Sequence, residues 1–146
     1  MYRHVTALIL RFAFLQISKG KITMLIKTAD LIDDALEWAV AKSEGYDVYI
    51  PAFSVKPWLQ IRTPTGNILC PKWSKDWKQC GDIIEREEID VFMEQRDLKV
   101  WAAEIYKTPR GYIRSRGSTP MIAVMRCFVA SKLGNEVEIP DELFSN

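Results

Sequence analysis

Histidine is almost absent from this chain: its 146 residues carry one, His4. Imidazole is the usual general base near neutral pH, the partner of serine and cysteine nucleophiles and the commonest metal ligand. Those chemistries are therefore excluded from any site His4 does not reach. Cysteine is scarce too, and Cys70, Cys80 and Cys127 stand in no C-x-x-C or Cys/His spacing. Neither a disulfide framework nor a zinc site is expected, and a reducing, intracellular setting fits. The 7 glycines form no phosphate-cradling loop of either common kind. No apolar run approaches the roughly 20 residues of a membrane-crossing helix. The run over 5–17 is interrupted by Arg11, and the Ser18-Lys19-Gly20-Lys21 that follows lacks a small-residue cleavage pattern. No membrane partner, metal or other cofactor is expected. Carboxylate pairs such as Asp76 with Asp82 or Glu85 with Glu88 are what a magnesium-dependent hydrolase would need, but acid-rich helix ends are usually solvated faces. The reading is that the protein is not an enzyme and has no catalytic residues.

Acidic residues are missing from 1–23, which hold Arg3, Arg11, Lys19 and Lys21. Subtracting those four from the 20 basic groups leaves 16 against 19 acidic ones from Met24 onward, a net −3. A body of that balance has no global field favouring nucleic acid, so any polyanion site must be local. Codons for Lys19-Gly20 can spell a purine-rich ribosome-binding sequence upstream of Met24, so 1–23 reads as a dispensable extension ahead of a single domain over 24–140. The alternative is an ordinary extra helix or strand packed on the core. The acidic stretch from Glu136 onward reads as loosely held, with 141–146 as a tail.

The segment 28–45 predicts a helix, with Thr28 as N-cap, Asp30, Asp33 and Asp34 near its positive end and Gly45 past its end. A strand follows over 46–50. Strands over 58–62 and 67–70 are joined through Thr63-Pro64-Thr65-Gly66, a turn sequence. A loop or irregular turn over 71–81 leads into a short helix over 82–88, with Asp82 and Glu85 as cap and its partner three residues on. Strands over 91–93, 100–106 and 112–115 come next. The last helix has Thr119 as cap, Pro120 in its first turn, an apolar stripe of Ile122, Met125, Val129 and Leu133, and Gly134 at its end. The expected fold is α+β, an antiparallel sheet packed against helices in two layers.

Two local features suggest binding. In Lys72-Trp73-Ser74-Lys75-Asp76-Trp77, two tryptophans four apart flank an aspartate, and they can wall a stacking site for a base or nucleotide. The alternative is that Trp77 packs as the first apolar residue of the short helix. The second feature interleaves Lys107, Arg110, Arg114 and Arg116 with Tyr106 and Tyr112, just ahead of the helix start at Thr119, where free amides and guanidiniums make an anion site. Its alternative is a solvated hairpin whose cations protect a sheet edge. Arg126 must be paired if it faces inward. The candidate ligand-binding set is Trp73, Asp76, Trp77, Arg114, Arg116, Thr119 and Arg126.

Several blocks in order resemble the phage NinX family, small proteins encoded by lambdoid phages and their prophages. They are Lys27-Thr28-Ala29-Asp30-Leu31, Ala35-Leu36-Glu37-Trp38-Ala39-Val40-Ala41-Lys42, Ser74-Lys75-Asp76-Trp77, Ile83-Ile84-Glu85-Arg86-Glu87 and Pro120-Met121-Ile122-Ala123-Val124-Met125-Arg126-Cys127. Members commonly read Gly-Gly-Pro where this chain has Cys80-Gly81-Asp82, which leaves the start of the short helix open. The resemblance implies an accessory gene product acting in the bacterial host cytoplasm, from a region that also encodes recombination and counter-defence functions. It supplies no reaction. Together with the residues, it gives a non-enzymatic phage protein that binds a small anionic, nucleotide-like ligand or a host protein. The alternative function is a nucleic-acid-binding accessory in phage DNA metabolism. A homodimer is expected, since small sheets with exposed edges often pair.

Overall fold

The computed structural model describes residues 14–18, 20–52 and 58–144. The described strands, all antiparallel, form three three-stranded sheets. The first contains β1 (Phe14–Ser18), β2 (Lys21–Lys27) and β9 (Glu136–Pro140), in the order β1-β2-β9. The second runs β3 (Asp47–Tyr49), β4 (Gln60–Thr63), β5 (Gly66–Leu69), and the third β6 (Asp90–Gln95), β7 (Val100–Ile105), β8 (Ile113–Gly117). Helices α1 (Asp33–Ser43), α2 (Trp77–Glu87) and α3 (Pro120–Leu133) complete the α+β fold. The expected single sheet is thus three, because each set of strands is separated from the next by a helix. Much of the stretch 1–23, including most of the apolar run over 5–17, lies outside the described residues. The boundary expected at Met24 falls inside β2, whose register with β9 runs from Thr23 opposite Pro140 to Lys27 opposite Glu136.

Helix α3 is the axis of the core. Its middle, from Ala123 to Ser131, is apolar nearly all round, and all but Arg126 of these residues are buried, the pattern of a helix with neighbours on every side. It packs on β7 and β8 on one side and on α1 and α2 on the other. Phe128, Met125 and Val124 meet Leu36, Val40 and Ile83 in one cluster, and each such fully buried side chain stabilises the fold by about 1.5–3 kcal/mol. Thr119 Oγ1 accepts the Ile122 N–H at 3.1 Å, Pro120 opens the first turn and Gly134, at φ 96°, ends the helix, as its sequence predicts.

The first helix differs from expectation. Thr28 does not cap it: a 3-10 turn spans Thr28–Asp30, and Ile32 precedes the α-helical start at Asp33. The Thr28 hydroxyl instead donates to Gly134 O at 2.6 Å and its amide to Asn135 O at 2.8 Å, joining the start of this region to the end of α3. At the other end Gly45 donates to Lys42 O and Tyr46 to Ala41 O, the paired bonds of a Schellman stop around a glycine at φ 83°. Helix α2 begins five residues before Asp82, because Asp76 supplies the cap: its Oδ1 accepts the Lys78 N–H at 2.9 Å. Gly81 lies inside the helix, not ahead of it. The stretch after Glu136, expected to be loose, is instead β9, with Val137 and Ile139 buried against the core; 145–146 lie outside the described residues.

Helix α2 ends on Glu88, an exposed residue held at φ 53°. A glycine there meets no Cβ penalty, so Glu88→Gly is expected to raise stability by about 0.5–1 kcal/mol, read as a shifted urea midpoint at constant slope. An unchanged or lower midpoint counts against it. No described helix is long and apolar enough to cross a membrane.

Candidate functional site

The two tryptophans of the 72–77 segment diverge. Trp77, first residue of α2, is 55% exposed, whereas Trp73 is buried and stacked on Tyr46 with ring centres 6.2 Å apart. They do not form one wall, and Asp76 between them is occupied as a helix cap. What holds this loop is Glu37 of α1, a residue sequence reasoning passed over. Its carboxylate is fully buried and accepts the Ser74 amide at 3.1 Å and the Ser74 hydroxyl, while its second oxygen, Oε2, has no partner among the described residues. Burial raises its pKa, and the Ser74 bonds only partly oppose that. Outside, Lys72 pairs with Asp34 and Lys75 with Asp33 at 2.9 Å, fastening the loop to the first turn of α1. Burial also pushes the nearby Cys70 thiol up to about 12 and Cys80 up to about 11, so both are inert thiols.

Thr119 and Arg126 are also committed. Thr119 takes the Ile122 amide on its side chain and the Ala123 amide on its carbonyl, and Pro120 has no N–H, so little of the α3 N-terminus remains for an anion. Arg126 does face inward, and it is paired with carbonyls: Nε donates to Leu31 O and Nη1 to Arg116 O, each at 2.9 Å. Burial lowers its pKa, against the pull of Asp30. It ties the segment ahead of α1 to the end of β8.

The remaining candidates assemble on the third sheet. Its inner face carries Val91, Ala103, Ile105 and Ile113 toward the core, so by strand alternation the outer face carries Phe92 and Glu94 of β6, Ala102 and Glu104 of β7, and Arg114 and Arg116 of β8. The register places Arg114 opposite Glu104 and Arg116 opposite Ala102. Glu94 sits at a β-bulge between Met93 and Gln95, an irregularity that re-aims side chains, and it accepts from Arg114 Nη2 at 2.5 Å and from Arg116 Nε and Nη2 at 2.5 and 2.9 Å. Glu104, almost buried, accepts from Arg114 Nη1 at 2.7 Å, Tyr112 at 2.7 Å and Tyr106 at 2.6 Å. The Arg114 guanidinium lies 5.4 Å from the Phe92 ring centre and the two tyrosine rings stand 5.5 Å apart.

Two arginines and two glutamates thus cancel. The Arg116 hydrogen bonds hold the Glu94 carboxyl down at about 2, and Tyr106, Tyr112 and Arg114 lower Glu104. The Tyr106 hydroxyl, bonded to Glu104, is pushed up to about 12. Sequence reasoning found the arginines and missed both glutamates: Glu94 lies past the strand expected over 91–93, at the bulge, and the face of Glu104 depends on the register with β8. Among the described residues no cluster of three or more His, Cys, Asp or Glu could hold a metal ion.

The model of the family described as bacteriophage P22, NinX matches residues 27–132. The chain belongs to that family. As a NinX-family member it is a phage accessory protein, and the matched span takes in α1, α2, all but the last residue of α3, the 72–77 loop and the whole face of the third sheet. Among solved structures it is similar to a phage protein from Bacillus cereus ATCC 14579, at 20% identity and TM-score 0.48, over 73% of this chain and 87% of that one. Comparison with curated proteins gives no match.

Proposed function

We propose that this protein is a non-catalytic phage accessory protein that acts by docking a host protein on the outer face of the β6-β7-β8 sheet. The observation that carries the reading is the Arg114–Glu94–Arg116 and Glu104–Tyr106–Tyr112 network, pre-ordered on a sheet face whose opposite side is packed on α3. Tyrosine and arginine are the residues interfaces favour, and side chains already fixed by neighbours lose little entropy on binding. Tyr106, Tyr112 and Phe92 are 58%, 53% and 37% exposed around it, and Leu98 lies on the connection from β6 to β7.

The small-anion and nucleic-acid readings are disfavoured on the same ground. A phosphate would have to displace carboxylates already bonded to both guanidiniums, and the α3 amides and Trp73 are unavailable to it. Counter-defence would be one benefit of masking a host protein.

The test places a photo-crosslinking residue at Tyr112, with Lys78 on α2 as control, in host cells carrying the phage protein. A discrete host-protein adduct from position 112 and none from 78 is expected. Replacing Tyr106 by alanine should lower the affinity of that partner about tenfold or more, the loss typical of an anchoring aromatic. No adduct at 112, together with micromolar binding of a nucleotide from a panel, would restore the anion reading in its place.

A further inference from the structure

A second surface, unconnected with that face, lies along β9. Among the described strands it pairs with β2 alone, on one side. The bond from the Thr28 amide to Asn135 O fixes the phase of the ladder: Asn135, Val137 and Ile139 direct their backbone groups at β2, and Glu136 and Glu138 direct theirs away from it. No described residue bonds to those outward groups, and Pro140, which has no N–H, ends the edge. A groove of about 510 Å³ runs beside it, lined by the apolar Trp38, Ile50 and Leu133 and by the acidic Glu136, Glu138 and Glu142. That volume lies within the range of ligand-binding clefts. Lys21 and Lys42 also line the groove, leaving its charge negative, and the Lys42 ammonium already rests 5.2 Å from the Trp38 ring centre, so the ring face is one that receives a cation.

We infer that this edge binds an extended basic peptide segment of a partner protein as a fourth strand of the β1-β2-β9 sheet. Strand addition supplies the backbone bonds and alternate side chains the selectivity. Residues of the peptide opposite Glu136 and Glu138 lie on the same face as those carboxylates, which selects lysine or arginine at two positions. The side chain between them falls on the other face, on the helix side of the groove beside Trp38, and selects an apolar residue. The recognised pattern is therefore basic, apolar, basic in extended form. Acidic edges with no lysine on the strand itself would repel a second copy of β9, so the edge discriminates against self-pairing.

The experiment is a titration of the whole chain with a capped Gly-Arg-Val-Arg-Gly peptide, its Gly-Glu-Val-Glu-Gly twin, and versions of the basic peptide N-methylated at valine or at both arginines. Backbone amide resonances of Glu136 and Glu138 report position. The basic peptide is expected to shift those two amides, the acidic twin to leave them unmoved, and the Glu136→Lys, Glu138→Lys double variant to weaken binding at least tenfold. Methylation at the arginines, whose amides would face β9, should abolish binding, and methylation at valine should leave it intact. Equal binding of the acidic twin, indifference to the position of methylation, shifts elsewhere on the fold, or no binding up to millimolar peptide would each overturn the proposal. The methylated pair keeps it testable even if the double variant misfolds.

Discussion

Replacing Gly117 by alanine is expected to cost about 3 kcal/mol, at the upper end for overpacking a core. A Cβ at this position lands 2.6 Å from the Ala123 nitrogen and 2.8 Å from Ile122 Cγ2. The first obstacle is backbone, so no rotamer change relieves it, and either α3 or the end of β8 must move. Because Gly117 follows Arg116 directly and pairs with Trp101, such a shift also pulls the arginine face out of register with Glu94. The same substitution has the opposite sign at Gly81. There the added Cβ meets nothing within 4 Å, and within α2 alanine is favoured over glycine by about 0.5–1 kcal/mol. Urea unfolding of both variants checks the pair; equal effects at 117 and 81 would mean that the contact between α3 and β8 is looser than described.

Glu37→Ala is expected to lose about 3 kcal/mol, since it leaves the buried Ser74 amide and hydroxyl without their acceptor and opens a void beneath the 72–77 loop. Glu37→Gln keeps one acceptor oxygen and should lose much less, and the two together yield a signature in pH. Burial raises the Glu37 pKa above its ordinary 4.5, so the folded protein holds this proton where the unfolded chain has released it. The group's contribution to stability is therefore full below the ordinary carboxylate value and is lost as pH rises from there through the raised folded value. The native protein should gain on the glutamine variant as pH is lowered from 8 to 4. A difference that stays flat across that range would mean that the carboxylate is solvated.

Where local chemistry decides an element, the residues spelled it out. Thr119, Pro120 and Gly134 bracket α3, Gly45 stops α1, and Thr63-Pro64-Thr65-Gly66 turns β4 into β5, because each depends on a side chain or dihedral within a few positions. Where two local solutions compete, the reading went astray. Asp76 and Asp82 are both fit to cap a helix, and Gly81 looked like a boundary; the winner was set by burial of Cys80 and Ile83 under α3. Thr28 is a good cap by type, yet its hydroxyl is taken by Gly134, 106 residues away. The alternation in Glu136-Val137-Glu138-Ile139 is a strand pattern that acidic charge disguised. The candidate site followed the same division: Tyr106, Tyr112, Arg114 and Arg116 were legible as a cluster, but their neutralisation was not, because Glu94 comes from 20 residues upstream of Arg114. Glu37 had no local signal, since a glutamate inside a helix is ordinary until a loop from elsewhere covers it.

The bond between Thr28 and Gly134 sets an order in time. Closing a loop of that length costs on the order of 4 kcal/mol in chain entropy, and until it closes neither this bond nor the β2–β9 ladder exists. The β6-β7-β8 meander and the helix that follows it join residues close in the chain and face no such delay, so they are expected to form first. The surface proposed to meet a host protein would then be the oldest part of each folding molecule. The edge proposed to take a basic strand would be the last to exist, present only once the two ends of the family's core have met.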